Sequence, residues 1–214
     1  MDIIEAYYNE KNVEKSIKMT AYMKNKFPFL GIQKPDRTKL NKEFLKERKK
    51  DTKIDWDFIF QCYSLPEREF HYLALEYIAT VKKLLVMEDI SYLEELITKN
   101  SWWDSVDTIS PIVGYLCEKY PELKEQVMKK WMESDNLWLN RVSIIFQLKY
   151  KKSTDTEFLS EAIVKNCNTN EFFRNKAIGW ALREYSKTDK EWVRNFLENH
   201  KLSNLSVREA SKYL

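Results

Sequence analysis

A shortage of turn-forming residues constrains the fold of this chain more than any other feature of its sequence. Its 214 residues include only three glycines and five prolines. Sandwiches, barrels and Rossmann units need many such residues at their tight connections, whereas helices joined by short loops need few. Apolar residues recur at helical spacing, and no alternation of period two persists anywhere in the chain. The sequence therefore predicts an all-α protein.

Thirteen segments of the chain are predicted to be helical. They span 2–9, 12–26, 34–50, 55–63, 69–81, 89–99, 101–120, 121–132, 137–149, 156–167, 171–186, 190–199 and 206–214. Gly31 is expected to end the second helix, and Pro111 is expected to break or kink the seventh. Met19, Tyr22 and Met23 are expected to share one apolar face. Asp55, the pair Asp135 and Asn136, and Asp155 are predicted helix caps.

The helices also repeat among themselves. Small or short residues flanked by apolar ones recur about every 34 residues, at Ala74, Thr108, Ser143, Ala177 and Ala210. This period is typical of stacked helical hairpins, so we predict one repeat domain over residues 1–214. Equivalent positions of successive repeats line one surface of a solenoid. Trp103, Asp107, Arg141 and Trp180 each lie within five residues of an anchor, so we expect them to converge on one groove.

The run Ser101–Asp107 holds two tryptophans and two carboxylates within seven positions. Ser101 and Asp104 have the spacing of a capping box, which predicts a helix start with acids at its positive end. Trp103 and Asp107, four residues apart, then share a face. An indole beside a carboxylate suits a cationic ligand or a cationic transition state. The alternative is an ordinary helix whose tryptophan packs inward while Asp104 only caps it.

Two further tryptophans bear on the groove. Trp180 follows Gly179 on a helix that already carries enough apolar residues for a core, which indicates a face kept open, although a core position is the alternative. Arg141 follows Trp138 by three residues, so its guanidinium could stack on that indole as a structural pair. As a ligand for phosphate, its planar fork would serve better than a lysine.

Positive charge is concentrated near the amino terminus. Between Lys11 and Lys53 there are fourteen basic and five acidic residues, so this basic arm carries about +9 and the remainder of the chain about −6. Such an arm is typical of proteins that bind phosphate or an anionic surface. The alternative is a solvated helix face with lysines for solubility. A membrane-surface role is not expected, because the apolar residues are needed inside the fold.

The cysteines, the hydropathy and the amino-terminal residues favour a cytoplasmic protein. Cys62, Cys117 and Cys167 are odd in number and form no CxxC motif, which favours free thiols in a reducing compartment over zinc or disulfides. His71 and His200 stand apart and are not expected to be ligands. No segment is apolar enough to span a membrane, and the amino terminus lacks a basic signal region.

Several runs together resemble the AlkD family of DNA alkylation-repair glycosylases over nearly the whole chain. These runs are AYMKN at 21–25, FLGIQ at 29–33, LPEREF at 65–70, SWWDSVD at 101–107, WLNR at 138–141 and KAIGW at 176–180. The resemblance implies a right-handed superhelix of HEAT-like repeats that cradles duplex DNA. It implies hydrolysis of the N-glycosidic bond of cationic alkylpurines, such as N7- and N3-methylated bases.

The resemblance also implies roles for individual residues. Asp107 would be the catalytic acidic residue, Trp103 and Trp180 would shape an aromatic cleft, and Arg141 would support the site against DNA. Tyr22 and Gln33 fall in stretches that approach the duplex near the lesion. We further expect the basic arm, with Lys149, Lys151 and Lys152, to neutralise phosphates along the groove.

The chemistry follows from the substrate that the resemblance implies. A cationic purine needs no general acid to leave, so the remaining barrier is the oxocarbenium-like sugar, which an ionised Asp107 would stabilise. We therefore expect a monomeric, monofunctional hydrolase without cofactor or metal. Two alternatives stay open: a DNA-binding repeat protein without catalysis, and a helical-repeat scaffold for a protein partner. Activity on methylated DNA and a carboxylate ringed by tryptophan would separate the enzyme from both.

Overall fold

The computed structural model of the protein describes residues 2–214 and confirms the all-α prediction. Over that range the chain forms thirteen α-helices and no strand. The helices are α1 (Ile3–Asn9), α2 (Val13–Tyr22), α3 (Lys34–Arg48), α4 (Trp56–Ser64), α5 (Arg68–Val81), α6 (Ile90–Thr98), α7 (Trp103–Lys119), α8 (Lys129–Met132), α9 (Leu137–Ile145), α10 (Thr156–Asn166), α11 (Phe172–Tyr185), α12 (Lys190–Asn199) and α13 (Asn204–Ala210). A π-helical stretch, Lys124–Met128, leads into α8.

The helices group into two compact units. The first runs to Leu85 and contains α1–α5, and the second is Val86–Leu214 and contains α6–α13. Among residues 2–214, no helix has the length and apolar character needed to cross a membrane.

Several helix starts follow from the capping residues that the sequence predicts. Asp55 accepts a hydrogen bond from the backbone N–H of Phe58, and Asp155 accepts one from Phe158. Of Asp135 and Asn136, the two residues predicted to cap α9, Asn136 is the cap. Its side chain accepts hydrogen bonds from the backbone N–H groups of Trp138 and Leu139. These bonds satisfy donors that a helix amino terminus otherwise leaves without a partner.

A buried carboxylate organises the first unit. Glu69 on α5 is fully buried and accepts hydrogen bonds from the backbone N–H groups of Leu30, Gly31 and Ile32, at 2.9–3.1 Å. Burial is the largest influence on its carboxyl group and raises the pKa of Glu69, while the three N–H groups oppose that rise. The loop before α3 is thereby fastened to the central helix of this unit.

Gly31 belongs to that loop, so the prediction that it ends the second helix is wrong. The helix ends at Tyr22, and Lys24 and Asn25 take positive φ values of 58° and 56° just after it. Gly31 has φ 95°, and a Cβ there would lie 2.0 Å from the carbonyl oxygen of Asn12. Only glycine satisfies both the backbone conformation and the close approach.

The second unit repeats one packing arrangement along the chain. Helices α7, α9, α11 and α13 pack against one another in series, and α6, α8, α10 and α12 pack beside them, which is consistent with a helical-repeat solenoid. Hydrogen bonds join residues at the predicted period: Arg141 reaches Asp107 and Arg174 reaches Asn140, both 34 residues apart. Of the break or kink predicted at Pro111, the break does not occur, because α7 continues through this residue to Lys119. The kink stays a prediction.

Candidate active site

The site begins where α6 gives way to α7, and the predicted capping box is not formed there. The Ser101 hydroxyl donates backward to the carbonyl of Ile97 at 2.6 Å, so it does not cap the next helix. Trp102 precedes the first turn of α7 without a side-chain cap, and the Asp104 side chain is buried. The capping role predicted for Ser101 is therefore wrong, and that of Asp104 stays a prediction. Trp103 and Asp107 do lie one turn apart on α7.

Both carboxylate oxygens of Asp107 are bound by one edge of the Arg141 guanidinium. Arg141 Nε donates to Asp107 Oδ1 at 2.7 Å, and Arg141 Nη2 donates to Asp107 Oδ2 at 2.9 Å. Its Nη1 donates to the carbonyl of Phe173 at 2.6 Å, which ties α9 to α11. The Arg141 side chain is 5% exposed and that of Asp107 is 20% exposed. Arginine can hold a carboxylate this way because its planar fork matches the two oxygens.

The ionisation of Asp107 is set by two opposed influences. Burial favours the neutral acid and is the larger one, so the pKa of Asp107 is raised above the ordinary value of 3.8. The hydrogen bonds and the positive charge of Arg141 act in the opposite direction and limit that rise, and nearby Asp104 adds to it. Arg141 thus favours the carboxylate form, whereas burial favours the neutral acid.

Trp180 completes the group that the structure brings together. The guanidinium carbon of Arg141 lies 6.0 Å from the centre of the Trp180 ring, at the outer limit of a cation–π contact. Trp103 and Trp180 are each half-buried, on α7 and α11. The sequence predicts an open helix face beside Trp180, but the face at Gly179 is covered. A Cβ on Gly179 would lie 2.5 Å from the Cβ of Glu209. Gly179 lets α13 pack closely against α11.

The Trp138 ring packs against two aromatic rings, whereas the sequence also allowed it to stack on the Arg141 guanidinium. Its ring lies 5.8 Å from Trp102 and 5.2 Å from Phe173, and those two rings are 5.0 Å apart. The three aromatics stand at the starts of α7, α9 and α11. Their spacing of about 35 residues in the sequence was the signal that could have grouped them. Through the Phe173 carbonyl, this cluster contacts the guanidinium that holds Asp107.

A second charged cluster, which the sequence did not reveal, lies on α11, on α13 and in the turn that follows α13. Glu209, with 8% of its side chain exposed, accepts hydrogen bonds from Lys176 at 3.0 Å, Arg183 at 2.7 Å and Lys212 at 2.8 Å. These bonds, from Lys212 and Lys176 above all, lower the pKa of Glu209 from 4.5 to about 2. Lys176 and Arg183 lie one turn to either side of Trp180. Three cations around one carboxylate leave positive charge beside that indole.

We expect Glu209→Gln to lower the free energy of unfolding by about 1 to 2 kcal/mol at pH 7, because three charge-assisted hydrogen bonds lose their ionised acceptor. A lowered carboxyl pKa stabilises the folded state above the ordinary value of 4.5, and that stability disappears as the pH falls towards 2. The difference between wild type and variant, measured by urea unfolding, should therefore be constant above pH 5 and shrink below pH 4.5.

The matched control for this prediction is Glu133→Gln. Glu133 pairs with Lys165 on the surface, where 60% of its side chain is exposed. Such pairs contribute roughly 0 to 1 kcal/mol, so the control should change stability little at any pH. A Glu209 effect that stayed constant down to pH 2.5 would contradict the assigned role.

The remaining predicted residues lie outside this group. Tyr22 and Gln33 are both exposed, at the end of α2 and just before α3 in the first unit. Lys149, Lys151 and Lys152 are exposed in the turn between α9 and α10. Lys151 also lines a cavity of about 280 Å³ together with Ile144, Glu184 and Lys187. Their proposed contacts with DNA stay predictions.

No metal site can be built from the described part of the chain. Among residues 2–214, no three His, Cys, Asp or Glu side chains are grouped so that they could hold an ion. All three cysteines are free thiols, and burial raises the pKa values of Cys62 and Cys117 to about 12. Neither buried thiol is ionised near neutral pH, as a thiolate ligand would have to be.

A family model and one solved structure show the same family. The model of the family described as DNA alkylation repair enzyme matches residues 3–214. Among solved structures, the chain is similar to a predicted DNA alkylation repair enzyme from Enterococcus faecalis, with 35% identity and a TM-score of 0.89 over 95% of this chain and 96% of that one. It also shares its fold with a protein from Streptococcus mutans UA159, with 21% identity and a TM-score of 0.60 over 83% of this chain and 97% of that one. No curated protein matches it.

Proposed function

The chain belongs to the DNA alkylation repair enzyme family, and from that premise we propose that it is a monofunctional DNA glycosylase. Its substrates would be positively charged alkylpurines in duplex DNA, such as N7- and N3-methylated bases. It would hydrolyse their N-glycosidic bond and leave an abasic site. We also propose that the protein acts as a monomer in the cytoplasm.

The observation that carries this proposal is the bidentate pair between Arg141 and Asp107. A carboxylate that is only 20% exposed would tend to take up a proton, but two hydrogen bonds from a guanidinium favour its ionised form. A fixed negative charge of this kind stabilises positive charge that develops in a transition state, because no reorganisation is needed when the reaction occurs. A scaffold for a protein partner has no need of such an arrangement.

The reaction proposed for this site needs only the alkylated base, water and Asp107. The bond between C1′ of the sugar and the purine nitrogen breaks, and its electron pair neutralises the charge of the departing base. The sugar then resembles an oxocarbenium ion, which the Asp107 carboxylate stabilises. The oxygen of a water oriented by the same carboxylate forms the new bond to C1′, and a water proton passes to solvent.

The two indoles would bind the charged nucleotide. Trp103 lies one turn before Asp107 on α7. Trp180, on α11, lies beside Arg141 of α9. Aromatic faces attract cations through their quadrupole, so they favour a cationic purine over a neutral one. Tyr22 and Gln33 are proposed to contact DNA near the lesion. Lys149, Lys151 and Lys152 are proposed to contact phosphates.

The enzyme should release cationic bases selectively. We expect 7-methylguanine to be released from methylated duplex DNA, while uracil and hypoxanthine stay attached, because the proposed mechanism provides no general acid for a neutral leaving base. Trp103→Ala and Trp180→Ala should each weaken this preference by about 0.5 to 2 kcal/mol. The measurement is single-turnover base release from oligonucleotides that differ only in the lesion.

The same assay separates the alternatives. Binding of duplex DNA without release of any alkylated base would identify a catalytically silent DNA-binding repeat protein. Absence of both binding and release would favour a scaffold for a protein partner. Efficient release of uracil would show that the proposed mechanism is wrong even if the protein is a glycosylase.

A further inference from the structure

Helix α2 turns its apolar residues towards solvent. Val13, Ile17 and Tyr22 are 64%, 66% and 69% exposed, and Ala21 is exposed beside them. Val13, Ile17 and Ala21 follow one another at four-residue steps, so they lie on one side of the helix, whereas Tyr22 points in another direction. The three residues Val13, Ile17 and Ala21 are called the α2 row. Only Met23, just past the end of the helix, is buried, so the apolar face predicted for Met19, Tyr22 and Met23 does not hold for Tyr22.

The opposite side of α2 carries half-buried Met19 and two polar contacts to neighbouring segments. The Ser16 hydroxyl donates to the carbonyl of Phe29 at 2.6 Å, and Lys15 pairs with Asp36 at 3.3 Å. No residue within α2 is buried. A helix on the surface of a globular protein normally buries its apolar side against the core. In α2 the residues of the α2 row lie outside that side and are exposed, and contiguous apolar side chains on a surface mark a place where something binds.

The charge around the α2 row indicates an anionic partner. The helix lies within the basic arm, which carries about +9. Lys11 and Lys18 are exposed next to the row, and the single acid of the helix, Glu14, is paired with Lys18 at 2.6 Å. A second copy of this chain would bring the same positive charge against itself. A membrane-binding helix typically inserts Trp, Phe or Leu side chains, and the α2 row contains none of these.

We propose that the α2 row packs against deoxyribose sugars of duplex DNA, with the flanking lysines on the phosphates. The carbon atoms of the sugars are the apolar surface that lies next to the phosphates along the DNA backbone, and contacts to this backbone are independent of base sequence. The inference rests on duplex DNA as the partner in the proposed function, but not on the glycosylase chemistry. The α2 row thus binds undamaged and damaged duplexes alike.

The test is the double variant Val13→Ser with Ile17→Ser. We expect the dissociation constant for undamaged duplex DNA to rise about tenfold, since two apolar side chains lose their contact. The slope of log affinity against log salt should stay unchanged, because apolar contacts release no counterions. By contrast, Lys11→Ala with Lys18→Ala should flatten that slope by about 0.9 per lysine in contact with a phosphate.

The matched control is Val86→Ser with Val164→Ser. These valines are 46% and 45% exposed and lie in the second unit, outside the α2 row. The control should bind DNA as the wild type does. Melting temperatures should be similar for all these proteins, since the substituted side chains are exposed in each.

Three results would overturn the proposal. One is unchanged DNA affinity of the α2 row variant. Another is a selective loss of binding to anionic phospholipid vesicles, and the third is a loss of self-association in place of a loss of DNA affinity. The glycosylase proposal is judged separately, by base release at saturating enzyme. That rate should be the same in the α2 row variant and in wild type, so a protein that binds DNA through this row without releasing bases would refute only the glycosylase chemistry.

Discussion

Replacing Asp107 by Asn is expected to reduce the release of 7-methylguanine by two or more orders of magnitude. That is the scale of one lost preorganised electrostatic contact in an active site. The amide keeps the shape of the side chain, and its oxygen can accept one of the two hydrogen bonds that Arg141 donates at 2.7 and 2.9 Å. The fold and most of the DNA affinity should therefore persist. The measurement is single-turnover release at saturating enzyme, below the melting temperature of the variant.

Asp135→Asn is the control for this experiment. Asp135 is exposed in the turn before α9, where its carboxylate is open to solvent. Both substitutions remove one negative charge from the same unit, so only a local role of Asp107 predicts different rates. Equal release by wild type and Asp107→Asn would remove Asp107 from the mechanism.

Arg141→Ala should affect both activity and stability. The hydrogen bonds and the positive charge of Arg141 both lower the pKa of Asp107. Without them the effect of burial is no longer opposed by Arg141, so the pKa of Asp107 should rise further. Since the proposed mechanism needs the carboxylate, activity should be lost at a higher pH than in wild type as the solution is acidified. We expect the acid limb of the rate profile to move towards neutrality, and the rate at saturating enzyme should be compared from pH 5 to 8.

The stability of Arg141→Ala should depend on pH in a defined direction. An acid whose pKa is higher in the folded state than in the unfolded state holds its proton better when folded, so stability falls as the pH rises through that window. We expect a loss of about 3 kcal/mol at neutral pH, because a mostly buried carboxylate is left without its partner. The loss should be smaller at pH 4. Urea unfolding at the two pH values measures both.

Two further variants test whether Arg141 acts through Asp107. Asp107→Asn combined with Arg141→Ala leaves no unpaired buried charge, so it should recover part of the lost stability but none of the activity. Arg141→Lys keeps the charge but loses the bidentate contact and the bond to the Phe173 carbonyl. It should lie between wild type and Arg141→Ala in both measurements. A double variant as unstable as Arg141→Ala would show that Arg141 acts through packing instead of through Asp107.

Local sequence signals were sufficient for the helices of this protein. Scarce glycine and proline and recurring apolar residues predict thirteen helices, and thirteen α-helices occur between residues 2 and 214. Asp55 and Asp155 cap helices as predicted, because a capping bond joins residues only three apart. The period of about 34 residues places Asp107 and Arg141 at equivalent positions, and the structure joins them by hydrogen bonds.

The partner that each side chain takes depends on how the helices pack in the folded protein. A serine hydroxyl before a helix can accept from the following turn or donate to the preceding one, and Ser101 donates to Ile97. Arg141 could have stacked on Trp138, but the packing of α7, α9 and α11 brings that ring to Trp102 and Phe173. Spacing shows which residues share a face of a helix, but the identity of the facing group depends on how helices distant in sequence pack.

The all-α class, the approximate helix bounds and the candidate site residues could all be predicted from the amino-acid sequence. Two features appear only in the folded protein: the three cations that surround Glu209 and the exposure of the α2 row. The physical reason is one of range. Helix formation depends on residues within four positions of each other, whereas burial and ion pairing depend on groups that only folding brings together.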